Sequence, residues 1–459
     1  MNLIPSRRRV LVYAGIVLAI PVLAIAVVSM LIAAHRITPE RIEPPTNLLQ
    51  VKPAAPGPKT NAPKNFESIL AAGCGDDVAA LYSKIDAALG ACDRPSDFGF
   101  KWDPKEPLSA ENEKWLLDHR DLIADIMKLA EAGGKPLMPC EEALAFGVDK
   151  FNQLPLPNLL ATQWMATILC GESRRLRKSG DMEGAAKALL AVEPLAQMIK
   201  EPCLISGLVA VAMRSRMSSE LAWWLKDSPP PEIAKELREK FAAMPPLDIR
   251  RVMECEYRGS RYNLVNKLNG SIMGLMTEQL GQRGDPNIWT VLDDVRTEPV
   301  KVLHDYTYAA LTGTYVKATA DTQLSRFDEV YANGLKRLSS PGSVESFDAM
   351  VERIESKDRL FYPYYFIPIP NIEEPGTRNN VTQTGLELGV AGLDEVVGGE
   401  SAEPRVDPFS GKPLKRIHGA GEVTIYSVGP DREDQHATIA YDPTNGTRSA
   451  GDIMVRVKR

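Results

Sequence analysis

The sequence predicts a mainly α protein with a single N-terminal transmembrane helix, a Pro-rich stalk, a body that is an α-helical bundle or irregular α-solenoid, and a small C-terminal α+β cap. Three observations carry this. Residues 10–34 are one unbroken apolar run, and residues 66–360 place apolar side chains at helical spacing between short turns. From residue 405, short strand-like stretches alternate with turns rich in Gly, Asp and Asn. The implied division is 1–9 as a cytoplasmic N-terminus, 10–34 as the anchor, 35–65 as the linker, 66–360 as the helical domain and 361–459 as the C-terminal segment.

The apolar run VLVYAGIVLAIPVLAIAVVSMLIAA follows Arg7, Arg8 and Arg9 directly. At about 1.5 Å per residue it reaches about 37 Å, enough to cross a hydrocarbon core of about 30 Å with tilt to spare. Short Lys/Arg-rich flanks stay in the cytoplasm, so the arginines favour an inner-membrane protein whose C-terminal bulk is extracytoplasmic. A cleaved signal peptide is the competing reading, with Ala33 and Ala34 as small residues at a cleavage site. The run is much longer than an ordinary signal core, which favours an uncleaved anchor in contact with the lipid bilayer. Seven prolines between Arg36 and Asn65 cannot build a core and favour an extended stalk of at most roughly 90 Å.

In the body, Leu160, Trp164 and Ile168 recur every four residues and predict one buried helix face. That helix ends in Arg174-Arg175-Leu176-Arg177-Lys178 and Gly180, where cations complement the helix dipole, and Asp181 is placed to cap the next helix. The second helix presents Leu189, Val192 and Leu195 and stops at Glu201-Pro202. A third runs from Pro202 through Leu208, Val209 and Leu221 to Trp223-Trp224, ending before Pro229-Pro230-Pro231. Later helices are expected over 232–243, 247–280, 298–338 and 344–357. Gly75-Asp76 and Gly180-Asp181 each precede an Ala-rich helix, but no 34-residue tetratricopeptide pattern follows.

Beyond residue 360 the texture changes. Residues 361–368 are aromatic and broken by prolines, which suits an extended segment. Residues 385–397 have helical spacing weakened by internal glycines, and strands are expected over 422–428 and 453–457.

Composition narrows the function. Net charge is −6 and the calculated pI about 5.6, a balance that argues against a general nucleic-acid surface. The six cysteines, Cys74, Cys92, Cys140, Cys170, Cys203 and Cys255, would lie where disulfides form, with connectivity open. Cys74 with Cys92 is the most plausible pair, as ends of one short helix and its turn, and Cys170 reads as a buried thiol. None of the five histidines falls in a metalloprotease or triad motif, and His119 and His304 sit in helical patterns. Glu254, Glu256, Arg258 and Arg261 cluster on one helix, with Glu254 and Arg258 at ion-pair spacing.

The tail carries one signature: Asp407-Pro408-Phe409-Ser410-Gly411-Lys412-Pro413-Leu414, then Ile425-Tyr426-Ser427-Val428-Gly429-Pro430-Asp431, then Gly451-Asp452-Ile453. It resembles the globular end of type II secretion major pseudopilins, with their DPWGxPY, YSLGADG and terminal DI elements. It is closer still to the tail of uncharacterised, membrane-anchored bacterial helical proteins carrying DPFxGKPLxY and YSVGPNGxDD. The pseudopilin resemblance implies a calcium loop, with Asp431, Asp434 and Asp452 as carboxylate ligands and the Val428 carbonyl as a partner. The alternative is a turn held by Asp-to-backbone hydrogen bonds. Arg432 stands among the acids, Gln435-His436 replaces the expected Gly-Gly, and a prepilin cleavage site and glutamate are missing before Val10. The resulting expectation is a non-catalytic, membrane-tethered scaffold that binds a protein or envelope component, with no cofactor other than that calcium. A pseudopilin-like assembly subunit and an envelope enzyme built around residues 254–261 are the alternatives.

Overall fold

The computed structural model describes residues 74–93, 108–140, 143, 156–269, 301, 320–339, 349–350, 352, 373–398, 404–442 and 449–458. Helix accounts for 67% of this region and a small antiparallel sheet completes it, so the protein is mainly α. The expected anchor at 10–34, the stalk at 35–65 and the aromatic segment at 361–368 lie outside the described residues. No described helix is long and apolar enough to cross a membrane.

In chain order the helices are α1 (Asp76–Ala91), α2 (Ala110–Asp118), α3 (Arg120–Ala132), α4 (Leu159–Lys178), α5 (Met182–Leu190), α6 (Val192–Ile199), α7 (Leu204–Lys226), α8 (Pro231–Ala242), α9 (Ile249–Asn269), α10 (Ala320–Ser339) and α11 (Glu373–Val397). The strands β1 (Lys415–His418), β2 (Glu422–Ser427) and β3 (Ile453–Lys458) form an antiparallel sheet in that order. The described residues up to Glu256, together with those from Glu373 onward, form one compact unit; those between Tyr257 and Ile372 form another. The C-terminal segment from Glu373 therefore groups with the helical body up to Glu256.

In the larger unit, local grammar sets the helix ends. The chain leaves α4 through Gly180 at φ 86°, a left-handed turn suited to glycine. Asp181 then caps α5 by accepting from the Gly184 amide at 2.9 Å. The single helix expected around Leu189, Val192 and Leu195 is two helices, although all three side chains are buried. Pro194 in the first turn of α6 has no amide hydrogen to continue the ladder from α5, so the chain breaks at Ala191. Pro231 opens α8 at its first position, where the missing donor costs nothing. The predicted face of α4 needs correction: Trp164 and Ile168 are buried, whereas Leu160 is 54% exposed. Burial begins at Ala161 and then covers almost the whole circumference through Ser173, because α5, α6 and α7 all pack on this helix.

Helix α11 spans the segment where glycines weakened the sequence reading. Gly385, Gly389 and Gly392 recur at four- and three-residue spacing and face Ser218, Leu221 and Leu225 of α7, whose side chains occupy the space a Cβ would need. The glycines bring two backbones together. The sheet packs on the same pair of helices through β3, with Val423 opposite Val457 and Ile425 opposite Val455, all four buried. Arg238 of α8 and Arg405 both reach Asp394 of α11, the latter at 3.5 Å, and Arg405 also donates to Glu387 at 2.7 Å.

In the smaller unit, Tyr257 of α9 meets Phe327 and Tyr331 of α10 with ring centroids 5.8 and 5.3 Å away. Asp328 is buried on α10 and accepts from the Tyr257 hydroxyl at 2.8 Å and from Arg261 at 2.8 and 3.1 Å. The rest of the helices expected over 247–280, 298–338 and 344–357 lies mostly outside the described residues.

Candidate functional site

The three pieces of the C-terminal signature meet in one hydrogen-bonded knot at the end of β2. Its centre is Asp407, which is 2% exposed. The carboxylate accepts from the Ser410 hydroxyl at 2.7 Å, the Ser427 hydroxyl at 2.7 Å, the Phe409 amide at 3.0 Å and the Val428 amide at 3.3 Å. Asp-to-own-turn bonding explains the Asp-Pro-Phe-Ser-Gly order, because the side chain replaces a backbone acceptor two and three residues on. Gly429, at φ 71°, passes so close to the Gly451 carbonyl that no side chain fits between them. Gly451 itself lies against the Ala440 backbone. The Asp452 amide donates to the Ile439 carbonyl, and its carbonyl accepts from Tyr441, both at 2.9 Å.

The three carboxylates expected to bind calcium are placed differently from one another. Asp431 accepts from the Glu433 amide at 3.1 Å, the Gln435 side chain at 2.9 Å and the Gly451 amide at 3.0 Å. Asp434 is ion-paired to Lys415 and accepts from the Tyr426 hydroxyl at 3.2 Å and the His436 amide at 3.1 Å. The Lys415 ammonium holds Asp434 below the usual carboxylate range, and burial beside Asp434 pushes the Tyr426 phenol up to about 12. Asp452 is fully buried, and one oxygen accepts from the Ala437 amide at 2.7 Å. Its other oxygen, Oδ1, is buried without a hydrogen-bond partner, as is Gln435 Oε1. Burial raises the Asp452 carboxyl above its ordinary value, helped by the nearby Asp434 and Asp431 charges.

As a ligand set for calcium, these residues do not fit as they stand. Calcium takes six to eight oxygens. Here Asp431 is occupied by donors of its own loop, Asp434 by a lysine, and only Asp452 Oδ1 and Gln435 Oε1 remain open. Among the described residues no group of three His, Cys, Asp or Glu side chains could hold a metal ion. The Asp-to-backbone turn is the arrangement actually built.

The other predicted clusters are separated rather than assembled. Glu254 pairs with Arg250 at 3.0 Å, not with Arg258. Glu256 accepts from the Leu204 amide at 2.5 Å, at the start of α7. Arg261 belongs to the Asp328 pair of the smaller unit. His119 stacks on Trp115 with ring centroids 3.9 Å apart and holds the Trp115 carbonyl at 2.8 Å through Nδ1. The basic end of α4 joins helices instead of simply complementing a dipole: Arg174 reaches Glu220 of α7 at 2.6 Å, and Lys178 reaches Glu113 of α2 at 2.5 Å.

Sequence reasoning missed two buried polar features. Glu193 of α6 and Arg214 of α7 form a buried ion pair, with Arg214 also donating to the Pro245 carbonyl at 2.5 Å. The other is the hub role of Asp407, whose signal in the sequence is an Asp followed by Pro and, three residues on, by Ser. The architecture is thus a mainly helical protein with a small antiparallel sheet fastened by buried carboxylates. Comparison with protein families, curated proteins and solved structures finds no match for this chain.

Proposed function

We propose that this chain is a membrane-tethered scaffold, with residues 10–34 in the inner membrane, residues 1–9 in the cytoplasm and the folded body outside, where it binds a protein or envelope component. The observation that supports this reading best is the role of its most distinctive polar residues. The signature Asp407 binds Ser410, Ser427 and Val428 of its own tail, and Arg174, Arg214 and Arg261 each bind a carboxylate of another helix. These groups tie elements of the fold to one another, which supports reading them as structural. The fastening of the sheet to α7 and α8 through α11 likewise favours a tail that is integral to the larger unit over a pseudopilin-like subunit.

Protease protection in sealed spheroplasts tests the topology: the body should be cut from outside while the first residues stay protected. A photo-cross-linker at Ile439, which is 53% exposed on the tail, tests the role in the full-length protein. Adducts with a second protein are expected. Ladders of the chain with itself would favour the assembly-subunit reading, and a turnover abolished by Arg261→Ala with the fold intact would favour an enzyme.

A further inference from the structure

Cys140 and Cys255 lie on two faces of one seam in the larger unit. The Cys255 thiol donates to the Cys140 carbonyl at 3.8 Å, and the Cys140 thiol donates to the Pro202 carbonyl at 3.8 Å. The same seam is held by Glu201, which accepts from the Cys140 amide at 2.7 Å and faces Arg251 at 3.5 Å. Arg251 and Cys255 are one helical turn apart on α9, so a single face of that helix meets both Glu201 and Cys140. The two cysteines are 2% and 3% exposed. The adjoining Cys255 side chain, within hydrogen-bond reach, together with burial, holds the Cys140 thiol far above the ordinary thiol range.

The other cysteines are placed differently. Cys74 and Cys92 flank the 16 residues of α1, which puts them about 27 Å apart at 1.5 Å per residue. A disulfide needs α-carbons within about 7 Å, so the pair expected from the sequence cannot bridge. Cys170 is deeply buried within α4, and the Cys203 thiol meets the Ser206 hydroxyl at 3.4 Å.

We propose that Cys140 and Cys255 close a structural disulfide, formed while the chain folds by exchange with a disulfide-bearing thiol oxidoreductase or oxidised glutathione. One cysteine thiolate attacks the donor's sulfur–sulfur bond, giving a mixed disulfide and releasing one donor thiolate. The second attacks that mixed disulfide, forming the Cys140–Cys255 bond and expelling the other donor thiolate. The two protein thiols lose two protons and two electrons, and the donor disulfide is reduced to two thiols. Exchange belongs to the folding chain, where both thiols are exposed to the donor. Once folded, the bond is shielded from reductant. It closes a loop spanning 115 positions, long enough for a large loss of chain entropy in the unfolded state. In cells the oxidant is supplied only if the body is extracytoplasmic, so that step rests on the function proposed above; the pairing itself does not.

The test separates the two. Full-length protein is denatured, reduced, and refolded in detergent micelles with reduced and oxidised glutathione, then denatured without reductant, alkylated and mapped by peptide mass spectrometry. The expected result is one cross-linked species joining the Cys140 and Cys255 peptides, with Cys170 alkylated. Alkylation of Cys140 and Cys255 in folded protein, or their capture by other cysteines, overturns the pairing. Reductant under native conditions should leave Tm unchanged, whereas refolding without oxidant should lower it by roughly 10 °C. Cys140→Ala with Cys255→Ala should abolish that difference, and Cys74→Ser with Cys92→Ser should keep it. A bridge that forms in refolded protein but is absent from acid-trapped cells supports the pairing and counts against an extracytoplasmic body.

Discussion

At the scale of single residues, this protein is held by carboxylates that have little room to change partners. Asp407 answers four donors from a site closed to water, so Asp407→Ala would strand the Ser427 hydroxyl and the Val428 amide together. The expected cost is about 2–3 kcal/mol, read as a lower Tm than that of Ser410→Ala, which removes one donor and leaves the hub. Glu193→Gln should cost about 3 kcal/mol, because it leaves the Arg214 guanidinium buried without its counter-charge; replacing both residues by apolar ones of similar volume should recover much of that loss. Asp452 behaves differently. Its folded carboxyl titrates above the unfolded value of 3.8, so the folded state binds the proton more tightly. Stability contributed by this group is present at low pH and falls as pH rises through the folded value. Asp434, lowered by Lys415, works the other way, stabilising above pH 3.8 and losing that contribution on acidification. Asp452→Asn should therefore match or exceed the wild-type Tm at pH 7, with the gap closing near pH 4. A wild-type Tm that falls on adding EDTA, with no such fall in Asp452→Asn, would instead assign the open Asp452 and Gln435 oxygens to a cation. Few of these roles could be read from the sequence. Glu193 and Arg214 look like solvated helix residues until the fold brings positions 21 apart together in the core.

Individual elements were far more legible, because their ends are chosen by local chemistry. Gly180 and Asp181 mark the turn into α5, Pro231 marks the start of α8, and the tail strands follow their alternation. These signals act within a few residues and do not depend on the rest of the chain. What the sequence hid is how elements meet. The glycines of α11 weakened its helical pattern, yet they are the contact surface for α7. Gly389→Ala tests this directly. On an exposed helix the change would gain about 1 kcal/mol of helix propensity. Here the new methyl group would collide with Leu221, itself fully buried and unable to yield freely. Overpacking of this kind costs about 1–3 kcal/mol, so the sign should reverse and Tm should fall. Gly398→Ala, at the end of the same helix with open space around it, provides the comparison: any loss there reflects its φ of 77° rather than packing.

At the scale of the whole molecule, the decisive question is whether the tail is an appendage or part of the core. The sequence set a boundary at 361, because the helical pattern gives way there to prolines, turns and strands. Contacts far apart in the chain place the tail inside the larger unit instead. β3 and α11 pack on α7, Ser228 donates to the Lys458 carbonyl at 3.2 Å across 230 positions, and Arg238 of α8 meets Asp394 of α11. An appended domain could be removed without harm to the body, whereas a shared core could not. Ending the chain at residue 372 would uncover Leu221 and Leu225, each now fully buried against α11, and would leave Arg238 without Asp394. Each large apolar side chain returned to water forfeits about 1.5–3 kcal/mol, a sum comparable to the 5–15 kcal/mol that holds an ordinary domain together. The truncated chain should therefore lose protease resistance throughout α4 to α8, not only near its new end. Limited proteolysis with mass mapping distinguishes the cases: a stable fragment covering 156–242 would show that the tail is dispensable, and its rapid loss would show that sheet and helices fold as one.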